Sequence, residues 1–173
     1  MTISPTKFAH VVLQTNRTAE MRDFYVQLLG ARVQAEFGPM CLLTYDDEHH
    51  RVALLNAQDY EERPPNTVGM HHMAFTYGSL EVLLGNYRRL KAAGMDPWWC
   101  VNHGPTVSLY YRDPDGNNVE LQVDVFDDND DVNAFLATLT TRAQPLGIDF
   151  DPDAMLARLE SGVPAQQLMA IDG

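Results

Sequence analysis

The sequence predicts an α+β protein built from two copies of a β-α-β-β-β module, with a short helical tail after the second copy. Three observations predict this fold class. Strand-like and helix-like runs follow the same order twice, the copies begin about 60 residues apart, and a histidine stands in the first strand of each copy. Repetition at such a period is typical of architectures assembled from one supersecondary unit.

Two such modules side by side would form a curved mixed sheet, an open barrel with the helices outside and a cleft inside. The chain has 173 residues, enough for one domain with a sizeable core. We therefore predict a single domain over residues 1–125, with modules at 7–57 and 70–125. Residues 126–173 lie outside the repeat and are predicted to be a C-terminal extension that serves packing or dimer formation.

The first module opens with a strand at residues 7–15, KFAHVVLQT. A helix over 18–31 follows, because apolar side chains recur there at the spacing of one helical face. Thr18 is the expected N-cap and Gly30 the expected C-cap. The helical stripe consists of Met21, Phe24, Tyr25 and Leu28. Three strand-like runs complete the module: RVQAEF (32–37), MCLLTYD (40–46) and RVALLNA (51–57).

After a linker at residues 59–69 the same order returns. HHMAFTY (71–77) is a strand, and a helix over 79–94 begins at the N-cap Ser79 and ends at Gly94. Its stripe consists of Leu80, Leu83, Leu84, Tyr87 and Leu90. Three more strands follow: DPWWCVN (96–102), TVSLYYR (106–112) and NNVELQV (117–123).

The extension contains two predicted helices, at 132–143 and 151–162. Asp151 is the expected N-cap of the second, with Pro152 at its first helical position. The acidic run DVFDDNDD (124–131) that precedes them is interpreted as a solvated turn.

Composition excludes several classes of function. The net charge is −12 and no basic stripe is present, so a nucleic-acid partner is not expected. No apolar run has the roughly 18 residues of a membrane helix, and the N-terminus lacks the features of a signal peptide. Cys41 and Cys100 are far apart and are predicted to be free buried thiols. These properties together predict a cytoplasmic protein without a membrane partner.

Strand alternation brings three candidate metal ligands to one kind of face. His10, His72 and Glu120 stand on the more polar faces of their strands, opposite faces that can pack on helices. Two histidines and one carboxylate form the facial triad that suits non-haem Fe(II). A single strand histidine is more often a core residue, and Glu120 alone could be an edge carboxylate. Together, at repeat-equivalent positions that face one cleft, the three residues favour metal binding over these structural roles.

The repeat also indicates that the site is open. Val119-Glu120-Leu121 matches Val52-Ala53-Leu54, so the counterpart of Glu120 in the first copy is Ala53. Alanine cannot bind a metal, and three ligands leave up to three octahedral positions for substrate and O2. This arrangement favours a reaction in which the substrate chelates the metal.

The chain resembles the vicinal oxygen chelate superfamily of glyoxalases, bleomycin resistance proteins and dioxygenases. Within it, the chain resembles the one-domain type I extradiol ring-cleaving dioxygenases, of the catechol 2,3-dioxygenase and biphenyl-2,3-diol 1,2-dioxygenase type. The resemblance covers about residues 7–125. It rests on the motifs FAHVVL, EHHRVALL, HHMAF and NHGPTVSLYYRDPDGNNVEL.

The resemblance implies that a catechol ring is cleaved beside its hydroxyls with O2, and that the metal is Fe(II) or alternatively Mn(II). His50, the second histidine of its pair, would be the acid–base catalyst. His103 would stabilise an oxygen-derived intermediate, and Tyr110 would hydrogen-bond a substrate oxygen. The resemblance also implies a homo-oligomer, a dimer or larger.

Alternatives remain open at the level of residues. His49 and His50 could be two loop histidines, and strict alternation from Ala53 would turn His50 away from the cleft unless a bulge or turn re-aims it. His103 could be a loop histidine without a role, and Tyr110 could pack with a solvated hydroxyl. Trp98 and Trp99 alternate faces on one strand; one of them could line an aromatic pocket, but core packing is favoured.

Two other functions also remain open. One is another metalloenzyme of the superfamily, a lyase, isomerase or thiol transferase that uses Zn(II), Mn(II) or Ni(II). The other is a metal-free protein that binds small molecules and confers resistance. Ala53 argues against a four-ligand isomerase, and the three ligand positions argue against a metal-free protein.

Overall fold

A computed structural model describes residues 2–64, 67–139 and 147–171. The chain divides into two compact units, which are described separately. The first unit comprises residues 1–69 together with 113–117, and the second comprises residues 70–112 and 118–173. The observed α+β class and the two β-α-β-β-β modules confirm the predicted fold class.

The first unit contains one helix and a four-stranded mixed sheet. The elements are β1 (Val11–Thr15), α1 (Thr18–Leu29), β2 (Arg32–Phe37), β3 (Met40–Thr44) and β4 (Val52–Asn56). The strand order is β1-β4-β3-β2, with β1 parallel to β4 and the other pairs antiparallel. The predicted element order is confirmed, but the first strand begins at Val11 instead of residue 7. His10 therefore immediately precedes β1.

Helix α1 supplies part of the core of the first unit. Met21, Tyr25 and Leu28 are fully buried, as the helical stripe predicts. The prediction of Thr18 as N-cap is wrong, because Thr18 is the first helical residue and no side chain caps this end. The Thr15 hydroxyl accepts a hydrogen bond from the Arg17 backbone N–H, and the chain turns into the helix one residue earlier than predicted.

A buried tyrosine holds the turn at 113–117 within the first unit. The Tyr25 hydroxyl donates to Oδ2 of Asp113 at 2.9 Å, and the backbone N–H of Asn117 donates to the other oxygen. Burial raises the pKa of the Asp113 carboxyl above its usual value. The polar DPDGN segment is therefore a structural turn fixed by its own aspartate.

The second unit contains a five-stranded mixed sheet. Its elements include β5 (His72–Thr76), α2 (Leu80–Ala92), β6 (Trp99–Asn102), β7 (Thr106–Arg112), β8 (Asn118–Asp124) and β9 (Ile148–Asp149). The strand order is β5-β8-β7-β6-β9, with β5 parallel to β8. Ser79 caps α2 by accepting the Val82 N–H, which confirms the predicted helix start. All five predicted stripe residues of α2 are buried.

The C-terminal extension is more elaborate than the two predicted helices. It contains α3 (Asn129–Thr138), β9, α4 (Pro152–Glu160) and α5 (Ala165–Met169). The prediction of two helices alone was wrong, because β9 and α5 are too short to produce a periodic pattern. Residues 140–143 of the first predicted helix lie outside the described residues.

The starts of the tail helices test two smaller predictions. The Asp128 carboxylate accepts the N–H groups of Asp130 and Asp131, so the acidic run begins helix α3 instead of forming only a turn. The Asp151 carboxylate accepts the Asp153 N–H, which confirms the predicted cap of α4. None of the helices among the described residues combines the length and the apolar character that crossing a membrane requires.

Candidate active site

Strand register places Glu120 and Ala53 at equivalent positions of the two modules. In the parallel pair β5–β8, Ala74 lies opposite Glu120, and in the parallel pair β1–β4, Val12 lies opposite Ala53. Ala74 follows His72 by two residues, and Val12 follows His10 by two residues. The repeat inferred from sequence is therefore also the repeat of the hydrogen-bonded sheets.

In the second unit, His72 and Glu120 converge. His72 Nε2 lies 3.0 Å from Glu120 Oε2, and Glu120 is only 4% exposed. A carboxylate this deeply buried is stable only when it is paired or binds a cation. Two ligands at roughly 2.1 Å from one ion, on adjacent octahedral positions, would stand about 3 Å apart. The donor types and their spacing therefore fit a metal that accepts nitrogen and oxygen ligands.

His10 belongs to the first unit and is exposed. Within residues 2–64, 67–139 and 147–171, no group of three or more histidine, cysteine, aspartate or glutamate side chains is arranged to hold a metal ion. The structure thus brings His72 to Glu120 in one unit and, in the other, His10 to His50. The complete three-ligand set stays a prediction.

His50 lies beside His10. Their ring centroids are 4.2 Å apart, and the Nδ1 atoms of His49 and His50 are 2.6 Å apart, so one of these two nitrogens carries the shared proton. Burial, followed by the neighbouring His10 and His49, lowers the pKa of His50 below its usual value. His50 is consequently a neutral imidazole at neutral pH, able to accept a proton.

The turn before β4 explains how His50 reaches His10. The Thr44 hydroxyl donates to the Glu48 carbonyl at 2.8 Å, and the Arg51 N–H donates to the Leu43 carbonyl at 2.8 Å, which folds the segment back before the strand begins. His50 lies two residues ahead of β4 and is not bound by its alternation. Glu48 in turn pairs with Lys7 at 2.5 Å.

Tyr110 and His103 form a second pair in the second unit. The Tyr110 hydroxyl lies 3.1 Å from His103 Nε2, and Tyr110 is the direct cross-strand neighbour of Glu120. Burial, reinforced by the charge of Glu120 and a hydrogen bond to it, raises the pKa of Tyr110 above its usual value. The phenol therefore keeps its proton at neutral pH and can donate a hydrogen bond.

Core packing, which the sequence favoured over a pocket lining, is not observed for Trp98 and is only partial for Trp99. Trp98 is 45% exposed, and Trp99 is half-buried and stacks on the Tyr110 ring with centroids 4.8 Å apart. The sequence carried a signal that was missed, since Trp99 and His103 share the same strand parity. Both cysteines are free as predicted; Cys41 is buried, and Cys100 is half-buried.

The two mixed β-α-β-β-β units and the His–Glu pair define a recognisable class. The chain belongs to the Glyoxalase/Bleomycin resistance protein/Dioxygenase superfamily, whose family profile matches residues 7–121. Biphenyl-2,3-diol 1,2-dioxygenase 2 of Rhodococcus globerulus is 46% identical over 169 residues, which are 97% of this chain and 88% of that protein. Biphenyl-2,3-diol 1,2-dioxygenase 3 of the same organism is 43% identical over 170 residues, 97% of this chain and 89% of that protein.

The chain is also similar to more distant proteins. Glutathione transferase FosA of Serratia marcescens is 30% identical over 114 residues, 66% of this chain and 78% of that protein. Among solved structures, lactoylglutathione lyase from Agrobacterium tumefaciens superposes with a TM-score of 0.56 at 18% identity, covering 69% of this chain and 94% of that chain. At this identity the structural likeness concerns the fold alone.

Proposed function

We propose that this protein is an extradiol dioxygenase, which inserts both atoms of O2 into a catechol-type ring and opens it beside the two hydroxyls. The observation that carries the proposal is the similarity to two biphenyl-2,3-diol dioxygenases, at 46% and 43% identity across 97% of this chain. The substrate class is a catechol with a bulky substituent. A 2,3-dihydroxybiphenyl is the first compound to test.

The metal ligands are His10, His72 and Glu120, and the metal is Fe(II), with Mn(II) as the alternative. Support comes from the repeat-equivalent histidines, the 3.0 Å approach of His72 to Glu120 and the near-complete burial of that carboxylate. When bound, the metal would act as a Lewis acid towards the diol and would supply a position for O2. Ala53, at the position equivalent to Glu120, contributes no fourth protein ligand.

His50 is the proton shuttle. Its lowered pKa leaves it neutral and able to take a proton from a substrate hydroxyl, and it later returns a proton when the O–O bond breaks. Tyr110 donates a hydrogen bond to a substrate oxygen. His103, whose Nε2 lies 3.1 Å from the Tyr110 hydroxyl, would stabilise the oxygen atoms that develop charge.

The test is a direct assay on protein purified without air. We expect about one iron per chain, O2 uptake in equal amounts with a 2,3-dihydroxybiphenyl, and a yellow ring-opened product. A protein that carries iron but consumes neither O2 nor any member of a series of 3-substituted catechols contradicts the proposal. Tight binding of an aromatic compound by protein that takes up no metal would favour the metal-free binding function.

A second candidate function is metal-dependent thiol transfer. The 30% identity with a glutathione transferase favours it, although that match covers less of the chain. Bound Zn(II) or Mn(II), glutathione consumption and no O2 uptake would support this function over ring cleavage. A homo-oligomer is expected from the resemblance alone, and light scattering after gel filtration tests it.

A further inference from the structure

The C-terminal extension contacts the candidate active site at Trp99 and at the residues beside His103. We propose that Trp99, held in place by Asp149 of the extension, is a positioning residue that fixes the Tyr110–His103 pair for ring cleavage. This inference rests on the proposed function, because Tyr110 and His103 are the groups that would contact the substrate. It assigns a role to a segment that lies beyond the residues matched by the family profile.

Trp99 touches both members of the pair. Its indole stacks on the Tyr110 ring at 4.8 Å with an interplanar angle of 25°, and it meets the His103 ring edge-on at 5.6 Å. Tyr110 and Trp99 are also direct cross-strand partners in the register of β6 and β7. The indole therefore forms one wall against which the phenol and the imidazole are oriented relative to each other.

Asp149 fixes the rotation of that indole. Trp99 Nε1 donates to Asp149 Oδ1 at 2.8 Å. An indole has only this one donor, so the hydrogen bond selects one orientation of the ring. Asp149 lies on β9, which pairs with β6 through Val101 and Asn102. Both the backbone and the side chain of the extension thus hold the strand that carries Trp99.

The extension also holds the segment that carries His103. The Asn102 side chain donates to the Met169 carbonyl at 2.8 Å and accepts the Gly104 N–H at 2.9 Å. Gly104 has φ +95°, and a Cβ there would lie 2.2 Å from the Phe135 ring. The residues on both sides of His103 are therefore in contact with α3 or α5. The extension thus limits the motion of the His103 backbone directly and that of the His103 ring through Trp99.

The extent of the sequence matches agrees with this role. The family profile ends at residue 121, whereas the two biphenyl-2,3-diol dioxygenases match across 97% of this chain, which includes most of the extension. The glutathione transferase match covers only 66% of the chain. A segment that positions groups for one reaction is expected to accompany that reaction more closely than the fold.

The kinetic test uses a double-mutant cycle on the iron-loaded full chain. We expect Asp149→Ala to lower kcat on the order of tenfold and Trp99→Leu on the order of 100-fold, with iron content retained and KM changed less than kcat. Asp149→Asn keeps an acceptor oxygen and should retain most of the activity. In a Trp99→Phe background, which lacks the indole donor, Asp149→Ala should have no further effect.

Trp98→Phe is the matched control, because this neighbouring ring is exposed and lies under Arg112, and phenylalanine keeps an aromatic ring where Trp98 meets Tyr110 at 6.1 Å and Trp99 at 5.8 Å. Its kcat should stay within about twofold of the parent. Equal losses for Trp98→Phe and Trp99→Phe would overturn the proposal. The proposal would also be overturned if Asp149→Ala lowered kcat by the same factor in the Trp99→Phe background as in the parent.

A second measurement does not depend on activity. The chain has two tryptophans, so ¹H–¹⁵N spectra of the full chain without added metal contain two indole N–H signals, and Trp98→Phe assigns the one of Trp99. We expect Asp149→Ala, but not Asp149→Asn, to shift the Trp99 signal and speed its exchange with water. Trp99→Leu should change the chemical shift of the His103 ring, and Trp98→Phe should leave that shift unchanged. Unmoved signals overturn the positioning role, whereas a folded parent with no ring cleavage overturns the proposed function instead.

Discussion

The neutral state of His50 is set by its neighbours in the first unit. Its ring is partly buried beside His10 and shares a proton with His49. Both the burial and the neighbouring imidazoles disfavour a positive charge on His50, so its pKa is lowered. A base that is uncharged at neutral pH can act on the diol without first losing a proton to solvent.

We predict that His50→Gln retains iron and loses roughly 10²–10⁴-fold in kcat, because glutamine can occupy the site but cannot carry a proton. Steady-state O2 uptake with a metal assay on the same sample measures both quantities. His49→Gln is the matched control, since this side chain is 67% exposed and glutamine can still hydrogen-bond to His50 Nδ1, so a much smaller loss is expected. Turnover of the His50 variant close to that of the parent would remove the shuttle role from this residue.

Arg51 anchors the segment that leads to His10. It pairs with Asp46 at 2.8 Å and donates to the carbonyls of Phe8 and Ala9 at 2.7 and 3.1 Å. The hydrogen bond from Arg51 lowers the pKa of Asp46. Because the folded-state pKa lies below the unfolded one, the pair stabilises the fold above the unfolded pKa, and this contribution is lost as pH falls through the folded pKa.

Asp46→Asn should therefore shift the urea midpoint of unfolding downward at pH 7 and change it progressively less as the pH falls below about 4. Urea titrations of the parent and the variant at a series of pH values measure this convergence. Asp47→Asn changes an exposed neighbour and should show little difference at any pH. A constant difference between parent and Asp46→Asn over the whole range would contradict the assigned cause.

Among the elements, β9 shows which features a sequence pattern cannot predict. Periodic stripes such as Leu80, Leu83 and Leu84 identify long helices, and the predicted order of both modules is confirmed. A two-residue strand has no period and exists only because it pairs with β6. The approach of His50 to His10 depends in the same way on a turn, and the role of Trp99 depends on contacts far apart in sequence.

Gly147 immediately precedes β9 and has a backbone conformation that residues with a side chain rarely adopt. It has φ +149°, and a Cβ there would lie 2.5 Å from the Asn102 carbonyl oxygen. Gly147→Ala should lower the free energy of unfolding by about 1–3 kcal/mol or more, because backbone strain and a clash add. Gly162→Ala has φ +93° but open space, so it should cost less. Urea unfolding measures both, and equal costs would contradict the close approach of β9 to β6.

On the scale of the whole molecule, the buried Glu120 carboxylate links metal content to stability. A metal that binds only the folded chain stabilises it by mass action. We predict that a chelator abolishes ring cleavage and lowers Tm, and that Fe(II) restores both. Glu120→Ala should remove the dependence of Tm on metal, whereas Asp124→Asn, an exposed change on the same strand, should leave it. A Tm that ignores the chelator in the parent protein would contradict Glu120 as a ligand.

The chain order of the first unit has a consequence for synthesis. This unit includes residues 113–117, and the buried Tyr25 hydroxyl donates its hydrogen bond to Asp113. When residues 1–69 have left the ribosome, Asp113 has therefore not yet been synthesised. The first unit therefore cannot complete its core until residues 113–117 have emerged, because Asp113 is the hydrogen-bond partner of its buried Tyr25 hydroxyl. An isolated fragment of residues 1–69 would accordingly lack Asp113, the partner of its buried Tyr25 hydroxyl.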